Sequence, residues 1–438
     1  MQQPARDHLK IGDRPLLVQK YGGTSVGSPE RIRAVAQRIA HSRAKARGLV
    51  VVVSAMGHTT DELIDLAHQV SREPPHREMD MLLTTGERIS MALLSMALSD
   101  LSVPAISLTG SQSGIITDGS HRRARIERIL GNRIREALEA GQVAIVAGFQ
   151  GVSEKKEITT LGRGGSDTTA VALAAALGAD VCEIFTDVDG VFSADPRKVA
   201  RAHHLDRVPH DIMVELATRG AGVLHPRSVE VAKKYGVPLV VRNSLIPIEE
   251  ESVRSKGTWI VSRQEDGNPV RQRANGTGKG DSMEAYQVTG VTSDSAKFLV
   301  EVDLERPGAA AAVWDSAAKS SLPVVAPVVA FPKLYFFAER ESLLEWKKAL
   351  EHLVFEGFLK TFRLDDEQLP VSIVGDRFSQ DGAVLARLVE ILAQCGTSVT
   401  IASGSALAVT VAVPVSRADD AVQALHRALL EPQAGLAN

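Results

Sequence analysis

The chain has 438 residues, of which 44% are hydrophobic and 24% charged, and a formal net charge of −3. This is longer than a chain that folds around one hydrophobic core, and it predicts two or three domains. The near-neutral charge excludes a strongly basic nucleic-acid-binding protein. No apolar run is long enough to span a bilayer, the polar N-terminus lacks a signal-peptide core, and Cys182 and Cys395 form no CxxC pattern. We expect a cytoplasmic protein without nucleic-acid or membrane partners.

Apolar, β-branched runs alternate with helical periods through roughly the first 260 residues. This alternation predicts an α/β domain. The runs are almost continuously hydrophobic, which is typical of a mainly parallel sheet that helices cover on both faces, in three αβα layers. The predicted strands are 16–18, 49–55, 143–149, 181–187 and 238–242.

The stretch "VQKYGGTSVGSPERIRAV" (18–35) joins the first predicted strand to an amphipathic helix, for which Ser28 is the predicted N-cap. Gly22 and Gly23 let the backbone approach a ligand, the helix N-terminus adds unpaired N–H groups, and Lys20 adds a compact cation. Together with the two hydroxyls that follow, these groups could stabilise a phosphoryl group in transfer. The alternative is a turn whose glycines only relieve steric crowding.

A second glycine-rich loop, "TTLGRGGSDTTAVAL" (159–173), also leads into a helix start. The predicted helix runs from Asp167 to Leu177 and stops at Gly178, a typical C-terminal glycine. Two such loops could close on an anion from two sides. Neither is a Walker loop, because GxxxxGK followed by Ser or Thr does not occur in the chain.

Two further stretches carry charged residues beside structural signals. In "FTDVDGVFSADPRK" (185–198), aspartates and an arginine follow a buried strand, where they could bind a nucleotide or simply cap turns; the turn interpretation is favoured for Asp189 and also considered for Asp195. In "TTGERIS" (84–90), Glu87 lies within an otherwise apolar helical stretch. It is either a solvated helix residue or the partner of a substrate amine.

Residues 264–284 are polar, glycine-bearing and without period, which predicts a linker or exposed loop. Two successive βαββα-like patterns follow it. The predicted organisation is an N-terminal tail (1–14), an α/β domain (15–263), the linker, and two small modules (285–362 and 363–438).

The motifs, in this order, resemble the aspartate kinases of the amino-acid kinase family, and the two modules weakly resemble that family's paired ACT domains. The matched segments are "KYGGTSVG" (20–27), "VVSAMGHTTDEL" (52–63), "TGERIS" (85–90), "TGSQSGI" (109–115), "GRGGSDTTA" (162–170), "TDVDGVFSADPR" (186–197), "GAGVLHPRSVE" (220–230) and "VPLVVRNS" (237–244).

This resemblance implies phosphoryl transfer from ATP to the side-chain carboxylate of L-aspartate. The product, 4-phospho-L-aspartate, begins the pathway to lysine, threonine, methionine and diaminopimelate. The resemblance implies that the catalytic residues are Lys20 and Asp167, that aspartate is bound by Ser54, Thr60, Glu87, Arg163, Gly164, Gly165 and Ser166, and that ATP is bound by Lys20, Tyr21, Gly22, Gly23, Thr24, Ser25, Thr186, Asp187, Phe192, Ser193, Asp195 and Arg197.

Mg²⁺ is implied together with ATP, held mainly by phosphates, so no protein ligand to a metal is assigned. The resemblance also implies a homodimer or higher homo-oligomer that assembles through the ACT-like modules. Two other functions stay open: an amino-acid kinase for another carboxylate, such as glutamate or acetylglutamate, and a catalytically inactive regulatory or scaffold subunit.

The sequence departs from the family in the first module. Members inhibited by lysine or threonine have a segment resembling INxDMIxQ, where this chain reads "LPVVAPVVA" (322–330). Pro323, Val325 and Val329 stand where polar residues would satisfy the effector's ammonium and carboxylate groups. The second module reads "ASGSALAVT" (402–410) in place of the usual Ser-Glu-containing strand. We therefore expect weak or no feedback inhibition by either amino acid.

Overall fold

The computed structural model describes residues 14–248, 257–263, 286–320, 322–378, 382–397 and 399–431. The predicted linker (264–284) and almost all of the predicted tail (1–14) lie outside the described residues. The described residues divide into two compact units. Those of the first unit lie within 1–191, 206–210 and 223–265, and those of the second within 192–205, 211–222 and 266–438.

The chain up to residue 263 forms twelve strands and seven helices among the described residues. They are β1 (Leu16–Tyr21), α1 (Pro29–Lys45), β2 (Gly48–Val53), α2 (Thr59–Val70), α3 (His76–Asp100), β3 (Ala105–Leu108), β4 (Ile115–Thr117), β5 (Ile126–Ile129), α4 (Asn132–Glu139), β6 (Val143–Ala147), β7 (Gln150–Ser153), β8 (Ile158–Thr160), α5 (Gly165–Leu177), β9 (Val181–Thr186), β10 (Arg207–Pro209), α6 (His210–Thr218), α7 (Pro226–Tyr235), β11 (Leu239–Asn243) and β12 (Thr258–Val261).

The first unit contains an eight-stranded sheet in the order β10-β12-β11-β9-β1-β2-β6-β3. Every neighbouring pair is parallel except β11 with β12. All six residues of β2 and all five of β6 are buried, as the continuous hydrophobic runs predict for a sheet covered on both faces. The predicted α/β class with a mainly parallel sheet is confirmed.

Helix α1 begins and packs as the sequence predicts. Ser28 accepts a hydrogen bond from the N–H of Arg31, and Ile32, Val35 and Ile39 are buried in the core. Helix α5 ends at Gly178, which adopts a left-handed conformation with φ +64°. The capping residues therefore mark these two helix boundaries correctly.

A second, four-stranded sheet of the first unit has the order β5-β4-β7-β8. Its strands have three or four residues each, and their short apolar patterns did not distinguish them from loops in the sequence. The last of these strands leads directly into the glycine-rich loop that precedes α5.

Two four-stranded antiparallel sheets form most of the second unit, with the orders β13-β18-β20-β19 and β15-β16-β14-β17. The C-terminal elements are β13 (Gln287–Ser293), β14 (Lys297–Leu304), α8 (Ala310–Lys319), β15 (Val325–Ala330), β16 (Lys333–Glu339), α9 (Leu343–Phe355), β17 (Leu359–Asp365), β18 (Gln368–Asp376), α10 (Gly382–Gln394), β19 (Ala402–Gly404), β20 (Ala408–Pro414) and α11 (Ala418–Leu430).

The two ACT-like modules are not consecutive in the chain as the sequence analysis placed them. The first module's sheet is built from residues 297–365, and β13, which the sequence analysis assigned to it, instead pairs with β18 of the second module. The second module thus includes a strand from before the first one. Sequence periodicity identifies a strand, but it does not identify the strand's partner.

The segment 192–205 belongs to the second unit although it follows β9 closely in the chain. Ala194 and Val199 are buried in the second module's apolar core together with Leu388 and Leu425. No helix in the described part of the chain has both the length and the hydrophobicity needed to cross a membrane.

Candidate active site

Four neighbouring parallel strands, β9, β1, β2 and β6, end at the same edge of the large sheet. The loops that follow them are tied to one another by backbone hydrogen bonds. The N–H of Gly22 donates to Phe185, that of Ser54 to Tyr21 and that of Gly148 to Val53. This carboxyl edge is the usual place for a ligand in open α/β sheets.

The two predicted catalytic residues meet at this edge. Lys20, near the end of β1, places its Nζ 2.7 Å from Oδ1 of Asp167, and the two side chains are 12% and 13% exposed. Asp167 lies in the first turn of α5, where the helix dipole favours a carboxylate. The pair holds the lysine cation in a fixed position beside the glycine loop.

The glycines of the first loop lie against the loop after β2. A Cβ on Gly23 would lie 3.0 Å from the carbonyl oxygen of Ala55 and 3.1 Å from that of Gly57, and one on Gly22 would lie 3.4 Å from Nζ of Lys20. Crowding by the loop after β2 therefore accounts for glycine at position 23. Thr24 is exposed at the tip of this loop.

Ser25 and Tyr21 make contacts inside the protein. The Oγ of Ser25 is 2.7 Å from that of Ser244, which in turn donates to the carbonyl of Thr186. Tyr21 is fully buried, with its ring stacked on Phe185 at 4.8 Å. The structure uses the side chains of Ser25 and Tyr21 to join the ends of the strands, rather than bringing them to the open edge.

Glu87 is 4% exposed on α3, and its Oε1 accepts a hydrogen bond of 3.2 Å from the N–H of Ala55. Its Oε2 is buried without a hydrogen-bond partner among the described residues. Burial raises the pKa of this carboxyl group to about 7, although two backbone hydrogen bonds act in the opposite direction. A buried carboxylate oxygen without a partner is suited to a cationic ligand. The solvated-helix interpretation of Glu87 does not hold.

The loop before α5 has a backbone conformation and close contacts that favour glycine. Gly164 has φ +66°, and a Cβ there would lie 2.1 Å from Cγ of His225. A Cβ on Gly165 would lie 2.9 Å from the ring of Phe149, and one on Gly148 would lie 2.7 Å from Oγ of Ser166. Arg163 is exposed at the tip of the loop. The predicted residues Ser54 and Thr60 are half-buried after β2 and in the first turn of α2.

The sequence analysis assigned no role to His225, although it lies within a matched segment. Its Nδ1 accepts a hydrogen bond from the N–H of Arg227 at the start of α7, and its ring occupies the space beside Gly164. The guanidinium of Arg227 donates to the carbonyls of Leu161 and Ala124, each at 2.8 Å. In the sequence, only the motif "LHPRS" (224–228) pointed to His225 and Arg227 as residues that hold the loop before α5.

The predicted nucleotide-binding residues fall in two places. In the first unit, Thr186 donates a hydrogen bond of 3.2 Å to the exposed Asp187 at the end of β9. Asp189 accepts a hydrogen bond from Asn243, as expected of a residue that fixes a turn.

The other predicted nucleotide-binding residues, Phe192, Ser193, Asp195 and Arg197, lie in the second unit. Ser193 is fully buried, with its Oγ 2.9 Å from Nε2 of His426 and 3.1 Å from Nδ1 of His203. Arg197 and Asp195 form an ion pair at 2.8 Å, which lowers the pKa of Asp195. Among the described residues, no three His, Cys, Asp or Glu side chains cluster as a metal site.

Comparison with known proteins agrees with the geometry. The model of the amino acid kinase family matches residues 15–243. An aspartokinase from Mycolicibacterium smegmatis is 44% identical over 94% of this chain and 96% of its own length, and one from Thermus thermophilus is 43% identical over 94% and 98%.

Solved structures extend the likeness to the fold. An aspartate kinase from Synechocystis is 38% identical over 95% of this chain and 71% of its own, with a TM-score of 0.50. Aspartokinase III of E. coli, in complex with aspartate and ADP, has a TM-score of 0.79 over 95% of this chain and 100% of its own at 22% identity. From the family match and the extent of these identities, the chain belongs to the aspartate kinases of the amino acid kinase family.

Proposed function

We propose that this site transfers the γ-phosphoryl group of ATP, supplied as its Mg²⁺ complex, to the side-chain carboxylate of L-aspartate. The products are ADP and 4-phospho-L-aspartate, the first intermediate of the aspartate-family amino-acid pathway. The observation that carries the proposal is the Lys20–Asp167 pair beside the glycine loop, in the same unit as a buried carboxylate with an oxygen left for a cation. That combination suits an amino-acid acceptor and an anion in transfer.

For this reaction the protein must position the two substrates and neutralise the charge on the phosphoryl group, and it needs no general base. A carboxylate oxygen of aspartate forms a bond to the γ-phosphorus while the bond between that phosphorus and the β–γ bridging oxygen breaks, and ADP leaves with the electron pair. The acceptor is already ionised, so no proton has to be removed. Lys20 would neutralise charge on the transferring group, with Asp167 holding the ammonium in place.

Aspartate recognition would use both charged ends of the amino acid. Glu87 would receive the α-ammonium group at its unpaired oxygen, and Arg163 would hold the α-carboxylate with two N–H donors. Ser54, Thr60 and Ser166 would line the pocket between them. Thr186 and Asp187, at the end of β9, would bind the nucleotide. Mg²⁺ would be carried mainly by phosphate oxygens, as is usual for Mg²⁺ that is bound together with a nucleotide.

An assay of acyl-phosphate formation tests the proposal directly. The purified protein is incubated with ATP, Mg²⁺ and hydroxylamine, together with aspartate, glutamate, acetylglutamate or no acceptor, and the hydroxamate is measured. Signal with aspartate alone is the expected result. Signal with another acceptor would point to a different amino-acid kinase, and a folded protein without any signal would be a non-catalytic subunit.

The raised pKa of Glu87 predicts a pH-dependent affinity for aspartate. With a pKa of about 7, the carboxylate that binds the ammonium group becomes the major form only as the pH rises through that value. The KM for aspartate should therefore fall roughly eightfold between about pH 6 and about pH 7.5. Steady-state kinetics at saturating ATP measures this dependence.

Glu87→Gln is the matched control for that titration, because it keeps the shape and removes the ionisable proton. The variant should have a higher KM for aspartate that no longer depends on pH in this range. The same slope in both proteins would assign the titration to another group. Stability gives an independent check: a carboxyl group whose pKa rises on folding stabilises the folded state most below its ordinary pKa of 4.5 and loses that contribution as the pH rises through about 7.

Inhibition by lysine or threonine should be weak or absent at millimolar concentration. In the described structure, Val325 is buried on β15 and Val329 is 55% exposed, and neither side chain has a polar atom for an effector's charged groups. Each unsatisfied group costs about 1–3 kcal/mol, so about tenfold in affinity or more is lost per missing partner. Titrating each amino acid, singly and together, at aspartate concentrations near KM measures the effect. Saturable inhibition with sub-millimolar affinity would contradict the prediction.

We also propose that the chain forms a homodimer or higher homo-oligomer through its ACT-like modules. Val329 on β15 and Phe331 beside it are both more than half exposed, and apolar side chains of this kind are common in contacts between copies of a chain. Light scattering of the wild-type protein and of Phe331→Asp tests this, with a monomeric wild type as the contrary outcome.

A further inference from the structure

We propose that Asp80 is a positioning residue for aspartate binding, because it fixes the loop that carries Arg163 relative to the helix that carries Glu87. Asp80 is fully buried on α3, and neither the sequence motifs nor the proposed chemistry uses it. The inference rests on the proposed function, since it concerns the two residues that would bind the charged ends of aspartate.

The carboxylate of Asp80 accepts hydrogen bonds from three separate groups. Its Oδ1 accepts one of 2.6 Å from the hydroxyl of Thr160 and one of 3.1 Å from the N–H of Arg122. Its Oδ2 lies 2.6 Å from Nδ1 of His121. A buried carboxylate with this many donors is a well-determined anchor, because both of its oxygens are held in place.

These partners lead directly to the aspartate-binding loop. Thr160 is the last residue of β8, just before the segment that contains Arg163. The carbonyl oxygen of Arg122 lies 2.9 Å from where a Cβ on Gly162 would be, so Gly162 packs closely against it. Asp80 therefore contacts β8, which leads into the loop that carries Arg163. It also contacts Arg122, against which Gly162 packs.

The same carboxylate is rigidly connected to Glu87. Both residues lie on α3, about two turns apart and on the same side of the helix, since seven residues of α-helix turn through almost two full revolutions. Two turns of a hydrogen-bonded helix are rigid, so the distance between Asp80 and Glu87 is fixed. The Asp80 contacts thus set the separation between the groups that would hold the α-ammonium and the α-carboxylate of one substrate molecule.

Arg227 also supports the loop before α5, because its guanidinium donates hydrogen bonds to the carbonyls of Leu161 and Ala124. The loop before α5 is therefore held by one buried anion and one partly buried cation. We therefore predict that removing a hydrogen bond of Asp80 reduces the affinity for aspartate more than it reduces the affinity for ATP.

The experiment compares two neighbouring threonines of β8. Thr160→Val removes one hydrogen bond to Asp80, whereas Thr159→Val removes an equally buried hydrogen bond of 2.6 Å to Thr117 that does not involve Asp80. Thr160→Ser keeps the hydroxyl, and Asp80→Asn removes the charge. For each protein, kcat, both KM values, the thermal midpoint and the affinity for aspartate by calorimetry are measured.

We expect Thr160→Val and Asp80→Asn to raise the KM and Kd for aspartate about tenfold, with the KM for ATP within about twofold of wild type. Thr160→Ser should restore wild-type values, and Thr159→Val should lower the thermal midpoint comparably without changing the KM for aspartate. If Asp80→Asn does not fold, Thr160→Val alone decides the question.

Equal effects of Thr160→Val and Thr159→Val on the KM for aspartate, or equal rises in the KM for both substrates, would overturn the inference while leaving the proposed function intact. A folded wild-type protein that neither binds nor phosphorylates aspartate would overturn the proposed function, and the role of Asp80 with it.

Discussion

Lys20→Ala is expected to lower kcat by about 10²–10³ and to change the KM for aspartate much less. The ammonium group lies beside the glycine loop, where it would act chiefly on charge that develops as the phosphoryl group leaves ATP. Asp167 holds it there at 2.7 Å. Removing the cation therefore removes stabilisation of the transition state rather than uniform binding of the substrate. Steady-state kinetics with both substrates measures the two effects separately.

A stability control is needed because Lys20→Ala leaves the Asp167 carboxylate largely buried without its cation. The thermal midpoint must be determined, and the assay must be run at a temperature at which the variant is fully folded. Lys45→Ala, at the exposed end of α1, is the matched loss of a lysine away from the site. A folded Lys20→Ala protein with a kcat within about threefold of wild type would contradict the assigned role.

Gly164→Ala should reduce kcat/KM for aspartate by about 10² or more. The added methyl group would lie 2.1 Å from the ring of His225, which is far inside van der Waals contact. Either His225 or the loop that carries Arg163 must move. A displacement of about 1 Å in a residue that positions a substrate is enough for a loss of this size.

Gly178→Ala separates the steric effect from backbone strain. Gly178 ends the same helix with φ +64°, almost the same as the +66° of Gly164, but a Cβ there meets no atom within 4 Å. Both variants place an alanine in a left-handed conformation, at a cost of about 1 kcal/mol in stability. Only Gly164→Ala should lose activity. Similar activity in both variants would show that the contact with His225 does not determine the loop position.

Local signals in the sequence predicted the parts of the fold that depend on local chemistry. The cap at Ser28, the apolar face of α1 and the stop at Gly178 follow from single side chains and their spacing, and the structure confirms them. The pairing of β13 with β18 could not be predicted in this way. Several apolar strands could pair with β18, and the choice of β13 depends on the three-dimensional packing.

The same distinction applies to the candidate site. The sequence motifs identified Lys20 and Asp167, which the structure brings together. Helical periodicity alone could not distinguish a solvated Glu87 from a buried one, because the answer depends on the loop after β2 that covers it. The supports at His225 and Asp80 come from segments remote in sequence from the loop they hold. Their roles depend on tertiary contacts that no local pattern encodes.

The membership of segment 192–205 in the second unit limits how this enzyme can be shortened. The carbonyl of Ser193 accepts a hydrogen bond from the N–H of Val291, Lys198 pairs with Asp419 at 2.8 Å, and Val199 lies in the second module's core.

A chain ended at residue 263, the predicted limit of the α/β domain, would retain this segment and lose all of these partners. Buried apolar side chains such as Ala194 and Val199 would then face water, in a stretch that the motifs associate with the nucleotide. Such a fragment should be prone to aggregation and to proteolytic cleavage near residue 192. A shortened form that keeps residues 192–205 therefore also needs the second module's core, so residue 263 is not a suitable end for a minimal kinase.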